Sequence, residues 1–230
     1  MHSFKNLFRP KTAALLFAAA ATLSGNAIAV PLADPVGDFL STYIGGRGGD
    51  MDVVSANVTL IGNTTLRFFA QLNGTVGTTP GGFFVWGLDR GAGTERFVAA
   101  SPSVGAGVFF DSVVIINANA TGSINLLGLG GTTAAIVSPI SIVGDTIRFD
   151  LAASLFPSQG RTFAQYGWNL WPRDGGGNAH ISDFAPDAST PRVEVVPNPP
   201  TVLLVGAGAL AAMALSRRRR RDNQRPTSMA

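Results

Sequence analysis

Apolar and polar positions alternate with a period of two through much of the middle of this chain. In residues 64–72, TTLRFFAQL, Leu66, Phe68, Ala70 and Leu72 fall on one side, with Arg67 and Gln71 on the other. Residues 146–151, TIRFDL, repeat the pattern, with Ile147, Phe149 and Leu151 against Arg148 and Asp150. Successive side chains of a strand point to opposite faces, so the alternation predicts strands with one buried and one wet face, as antiparallel sheets have. Other runs rich in Val, Ile, Phe and Thr predict strands at 52–60, 82–88, 107–117, 121–127, 134–137, 163–171, 179–184 and 192–196. Gly62-Asn63, Asn73-Gly74 and Gly144-Asp145 supply turns between apolar runs. No stretch holds the roughly 3.6-residue period of an amphipathic helix over three turns; residues 152–156 allow a single turn before Pro157. The expected fold is all-β, a single antiparallel β-sandwich of jelly-roll type over residues 30–190.

The two ends follow a different pattern. His2, Lys5, Arg9 and Lys11 lead into an apolar stretch at 12–23 and then Ala27-Ile28-Ala29. A basic start, a short apolar core and a small-x-small site describe a secretory signal peptide over residues 1–29, cut after Ala29 by signal peptidase. At the other end, residues 191–200 read as a Pro-rich spacer, 201–216 as a transmembrane helix and 217–230 as a basic cytoplasmic tail. The apolar run 201–215 spans only about 22 Å at ~1.5 Å per residue, short of the ~30 Å hydrocarbon core. Insertion is therefore marginal, and Arg217, Arg218, Arg219, Arg220 and Arg221 set its orientation in the inner membrane. Gly206, Gly208 and Ala211 imitate a dinucleotide fingerprint. That motif needs a βαβ unit of ~30 residues and a later acid, and too little chain follows to build one.

Taken together, VPNPP at 196–200, the apolar run and the arginine cluster resemble the PEP-CTERM sorting signal of Gram-negative bacteria. The resemblance rests on Val196, Pro197, Asn198 and Pro199 as the sorting motif, with Asn198 where that family usually has Glu. It implies recognition by an exosortase, cleavage near residues 197–200, and delivery to the cell surface or extracellular matrix in a system tied to extracellular polysaccharide. Within the exported part, DPVGD at 34–38, GGDMDVVSANVTL at 48–60 and NAHISDFAPD at 178–187 are similar to family-nine carbohydrate-binding and DOMON-like modules. That second resemblance implies a fold and a polysaccharide partner.

Composition changes the picture once the ends are set aside. The whole chain carries a formal +3, but residues 30–196 hold eight arginines, no lysine and 13 acids, a net of −5. An acidic exported domain has no basic face for a nucleic acid. Cysteine is absent, which removes disulfides, thiol nucleophiles and thiolate metal ligands together.

Candidate chemistry is sparse. Past the leader His180 is the single histidine, and neither H-E-x-x-H nor G-x-S-x-G occurs. The expectation is a protein without catalytic residues; the rival readings are a secreted hydrolase using paired carboxylates and a permanently membrane-anchored protein on the periplasmic face. Asp34, Asp38, Asp50 and Asp52 lie in Gly-rich loops as hard oxygen donors for calcium, and as ordinary turn residues otherwise. Tyr166, Trp168, Trp171 and Trp86 sit on two aromatic strands. Their rings suit either sugar stacking or a packed core, and Trp171, beside Pro172 and the loop 173–178, is the one expected to reach a surface site.

Overall fold

The computed structural model describes residues 29–128 and 131–196. Ala27, Pro197, Asn198, Pro199, the expected helix at 201–216 and Arg217 to Arg221 lie outside the described residues, as does all of the leader except Ala29. Within them run β1 (Leu32–Ala33), β2 (Val53–Ile61), β3 (Thr65–Leu72), β4 (Phe83–Asp89), β5 (Ser112–Asn117), β6 (Gly122–Leu126), β7 (Thr132–Ala135), β8 (Ile140–Val143), β9 (Thr146–Ala152), β10 (Gly167–Arg173) and β11 (Glu194–Val196). The only helical elements among the described residues are three-residue 3-10 turns. One sheet runs β1-β2-β3-β9-β8, with β11 added in parallel to β2; the other runs β10-β4-β5-β6-β7.

The alternation predicts which side chains meet. Leu66, Phe68, Ala70, Leu72, Ile147, Phe149 and Leu151 are all buried. Phe68 and Phe149 stack with ring centroids 4.7 Å apart, and Trp86 from the opposite sheet meets Phe149 edge-on at 5.2 Å. Each such pair adds about 0.5–1.5 kcal/mol beyond the area it buries, and this group ties the two sheets face to face. The β2–β3 turn places Gly62 and Asn63 at φ of 56° and 61°, a left-handed conformation that glycine and asparagine tolerate best. Gly144-Asp145 closes the β8–β9 hairpin.

A second apolar cluster covers the outer face of the β10-β4-β5 sheet. Val85, Val108, Phe110, Val113, Trp171, Ile181 and Phe184 are buried there under the loops 90–111 and 174–190. Neither 107–111 nor 179–184 forms a continuous strand: each makes only isolated bridges, Phe110 to Thr94 in the first case and Ile181 to Arg173 in the second. The second segment also makes a 3-10 turn at Asn178–His180. Gly87 belongs to the same arrangement, because a Cβ there would lie 2.6 Å from the Trp171 ring. The long loop is pinned by a fully buried ion pair, Arg90 Nε to Asp111 Oδ1 at 2.7 Å. Arg90 also donates to the Pro157 and Asp111 carbonyls.

Two expectations about organisation need correction. A jelly roll sends consecutive strands to alternate sheets through two Greek keys, whereas β4, β5, β6 and β7 are neighbours in one sheet, a meander. The spacer expected from residue 191 is part of the domain up to Val196: Val193 N–H donates to the Tyr166 carbonyl at 2.9 Å, and β11 pairs with Thr59, Leu60 and Ile61. Backbone pairing, in which Pro191 takes part through its carbonyl by accepting the Trp168 N–H at 2.9 Å, holds that stretch down.

Candidate functional site

Three carboxylates that are far apart in sequence meet where the first residues of the domain cross β2. β1 pairs with Ser55 and Ala56, and Asp34 N–H then donates to the Val54 carbonyl at 2.8 Å. A register shift between Val53 and Ser55 bulges β2 at that point. The turn that follows swings back at Gly37, whose φ of 84° lets its N–H reach both oxygens of Asp52, at 3.0 and 2.9 Å. Asp38 is thereby brought beside Asp34. From the far end of the chain, Asp183 is buried against β2, accepting the Val53 N–H at 3.0 Å and the Phe184 N–H at 2.7 Å. Leu40 N–H donates to the Ser182 carbonyl at 2.8 Å and fixes the two segments together.

Asp34, Asp38 and Asp183 each place a carboxylate oxygen within 4.8 Å of the others. Asp34 Oδ2 and both Asp38 oxygens are buried without a hydrogen-bond donor. Burial, followed by the charges of Asp183, Asp38 and Asp187, raises the Asp34 carboxyl from 3.8 to about 8. Burial also dominates at Asp183, lifting it from 3.8 to about 7 against the pull of the Val53 and Phe184 N–H groups. The Asp38 carboxyl is raised as well, through burial and the nearby charges of Asp187 and Asp52. Burial and mutual crowding therefore oppose ionisation of all three carboxyls.

The donor set is oxygen only, which suits a hard cation such as calcium rather than zinc or copper. Two oxygens held on one calcium at about 2.4 Å cannot be more than about 4.8 Å apart, and the three carboxylates meet that limit. Of the four acids expected as calcium ligands, Asp34 and Asp38 belong to this cluster. Asp52 backs it while both its oxygens are engaged by Gly37 and by Asn73 Nδ2. Asp50 does not take part. Its oxygens accept from the Gly77 N–H and from the Thr79 N–H and hydroxyl, so it holds the loop after β3. Asp183 was not picked out from the sequence, since nothing in the spacing of a residue so distant from Asp34 marks it as a neighbour.

Of the aromatic candidates, Trp86, Tyr166 and Trp168 take the packed-core alternative, and Trp171, expected to reach a surface site, is buried as well. Trp86, Tyr166, Trp168 and Trp171 are 0%, 0%, 2% and 1% exposed. Trp171 is enclosed by Phe97, Phe110 and Phe184, and Tyr166 donates its hydroxyl to the Phe156 carbonyl at 2.7 Å. A ring without an open face cannot stack on a sugar, so these four build the two cores. His180 Nδ1 lies 2.9 Å from Asp174 Oδ1, while Tyr43 donates its hydroxyl to Asp174 Oδ2 at 3.0 Å. Two cavities of about 410 and 430 Å³ open on either side of Arg161. The first contains Asp89 and Phe109, but Asp89 already accepts the Gly91 and Gly93 N–H groups and pairs with Arg161. It has no free oxygen for acid–base work. No known protein family, curated protein or solved structure matches the chain.

Proposed function

We propose that this chain is an exported, non-catalytic surface or matrix protein whose sandwich domain is locked by a bound calcium ion. The observation that carries the cation is the convergence of Asp34, Asp38 and Asp183 with three buried carboxylate oxygens lacking any donor. Asp34 and Asp38 would supply the open oxygens, and Asp183 would fix the ion to β2. The ion supplies charge neutralisation there and joins the start of the domain to its end. Calcium is available at high concentration outside cells, and sites of this kind in extracellular modules bind in the ~10⁻⁴–10⁻³ M range.

Export rests on the leader at 1–29 with its Ala27-Ile28-Ala29 site, and sorting by an exosortase rests on Val196 to Pro199, the apolar run at 201–216 and the arginines. Extracellular polysaccharide is the partner that route implies; with the tryptophans enclosed, contact with it falls to surface residues and not to an aromatic platform. Terbium luminescence and calorimetry test the cation: wild-type protein binds one ion, and Asp38→Asn binds it at least tenfold more weakly. Equal binding by both proteins would remove the calcium reading. Intact-mass measurement on protein from its own cells tests sorting separately, since a mature form retaining Arg217 to Arg221 would be a permanent membrane anchor.

A further inference from the structure

Arg161 forms the wall shared by the two cavities, and the protein uses only part of its guanidinium. Its N–H and that of Gln159 both donate to the Arg90 carbonyl at 3.1 Å, and its own carbonyl accepts the Ser158 hydroxyl at 2.6 Å. Nη1 pairs with Asp89, whose other oxygen is held by the Gly91 and Gly93 N–H groups at 3.0 Å. The side chain is therefore aimed by a fixed backbone and by one nitrogen. Nε and Nη2 make up the remaining edge, and no acceptor among the described residues meets either. Two parallel N–H donors held in one plane are the complement of a carboxylate.

Phe109 supplies the apolar contact. It stands between buried Val108 and Phe110, is 40% exposed, and lines the first cavity with Arg161. Its N–H donates to the Thr190 hydroxyl at 2.8 Å, and that hydroxyl donates to the Gly107 carbonyl at 2.9 Å, so the ring rides on a tied loop. Three glycines give this cavity a wall of bare backbone, and the second cavity adds the hydroxyls of Ser158 and Thr162 beside half-buried Phe163. Charge permits an anion here. Residues 34–52 and 173–187 hold seven acids against Arg47 and Arg173, which is the whole excess of −5; elsewhere in 30–196 six arginines match six acids, and Arg161 belongs to that balanced part.

We infer that the two cavities form one groove for an acidic polysaccharide, in which a uronate carboxylate takes both donors of the open Arg161 edge and the C–H face of a sugar ring lies on Phe109. This rests on the matrix role proposed above and names the sugar class and the site. Each cavity, at about 410 and 430 Å³, falls within the ~300–1,000 Å³ of small-ligand sites. The mixture of an aromatic ring, bare backbone and hydroxyls suits a ligand that carries hydroxyl groups around an apolar face. Asp89 offsets part of the guanidinium charge, so one uronate unit binds weakly. A polymer repeating that unit gains through multivalency across many copies of the protein.

Titration calorimetry of the purified full-length chain tests this in EDTA, where no calcium can bridge a sugar to the aspartates. The probes are trimers of galacturonate, glucuronate and mannuronate, the matching neutral trimers of galactose, glucose and mannose, and tri-aspartate as a peptide carboxylate. At least one uronate trimer is expected to bind at least tenfold more tightly than its neutral counterpart and than tri-aspartate. Arg161→Gln should weaken that binding at least tenfold and Phe109→Ala at least fivefold, with unchanged circular dichroism, whereas Phe109→Tyr should stay within twofold. Phe109→Ala, at an exposed position, decides the matter if Arg161→Gln does not fold. No uronate bound at about 10 mM, or a neutral trimer or tri-aspartate bound as tightly, overturns the inference. So does uronate binding untouched by Phe109→Ala, which would put the sugar contact elsewhere and leave the matrix role standing; that role fails instead on the intact mass of protein from its own cells.

Discussion

If the proposed site holds calcium, the ion and protons compete for the same carboxylates, and the competition can be measured as a melting temperature. Without metal, the raised carboxyls of Asp34 and Asp183 retain a proton in the folded state that the unfolded chain releases near 3.8. A folded-state value above the unfolded one contributes stability that is complete below about pH 4 and is lost as pH rises through about 7–8. The rise at Asp183 sets a ceiling of about 4 kcal/mol at ~1.36 kcal/mol per pH unit. Asp34, partly open to solvent and sharing that proton, adds less than its own value implies. In EDTA the domain should therefore melt progressively lower from pH 5 to pH 8.5. Calcium at 100 times its Kd restores about 2.7 kcal/mol, or about 5–10 °C for a domain of this size. The increment should be large at pH 8, small at pH 5, and cut to about half or less in Asp34→Asn and Asp38→Asn. Scanning calorimetry in EDTA and in calcium reads all of this. An increment of equal size at both pH values, or one undiminished by both substitutions, would refute the reasoning.

Other outcomes follow from the cores. Asp111→Ala leaves Arg90 charged and buried, and should cost about 3–5 kcal/mol in urea unfolding. Gly87→Ala pushes a methyl into the Trp171 ring and should cost about 1–3 kcal/mol, with a changed near-ultraviolet dichroism spectrum. Trp171→Ala should lower stability by about 3–5 kcal/mol in the same assay, and glycan pull-down by the fraction still folded should match the wild type. Asp50→Asn, by contrast, should leave calcium affinity within twofold while loosening the loop at Gly77 and Thr79, seen as faster amide exchange there.

Strand content was legible because the period of two survives in Leu66 to Leu72 and in Ile147 to Leu151, where one face meets water. It was less legible where a sheet is covered on both sides. Trp171 sits on the face opposite Tyr166 and Trp168, as alternation requires, yet that face is roofed by Phe97, Phe110 and Phe184. Periodicity reports which residues share a side and not whether that side is wet. The cluster divides the same way. Asp34 and Asp38 are close in sequence inside a turn-rich stretch, so they could be singled out, whereas Asp183 arrives through the tertiary path of a loop. Asp50 and Asp52 look alike in sequence, and only the hydrogen bonds from Thr79, Gly37 and Asn73 show that each is already occupied.

The bulge on β2 receives Asp34 from the beginning of the domain and Asp183 from near its finish, while β1 and β11 both dock on that one strand. The two ends of the folded unit are therefore both strung onto β2, beside which the carboxylates meet. On the function proposed above, a pull on either end would load this edge of the sheet before the aromatic interior. The grip there would be set by the ions in the surrounding fluid, making mechanical strength a property that the environment can turn up or down.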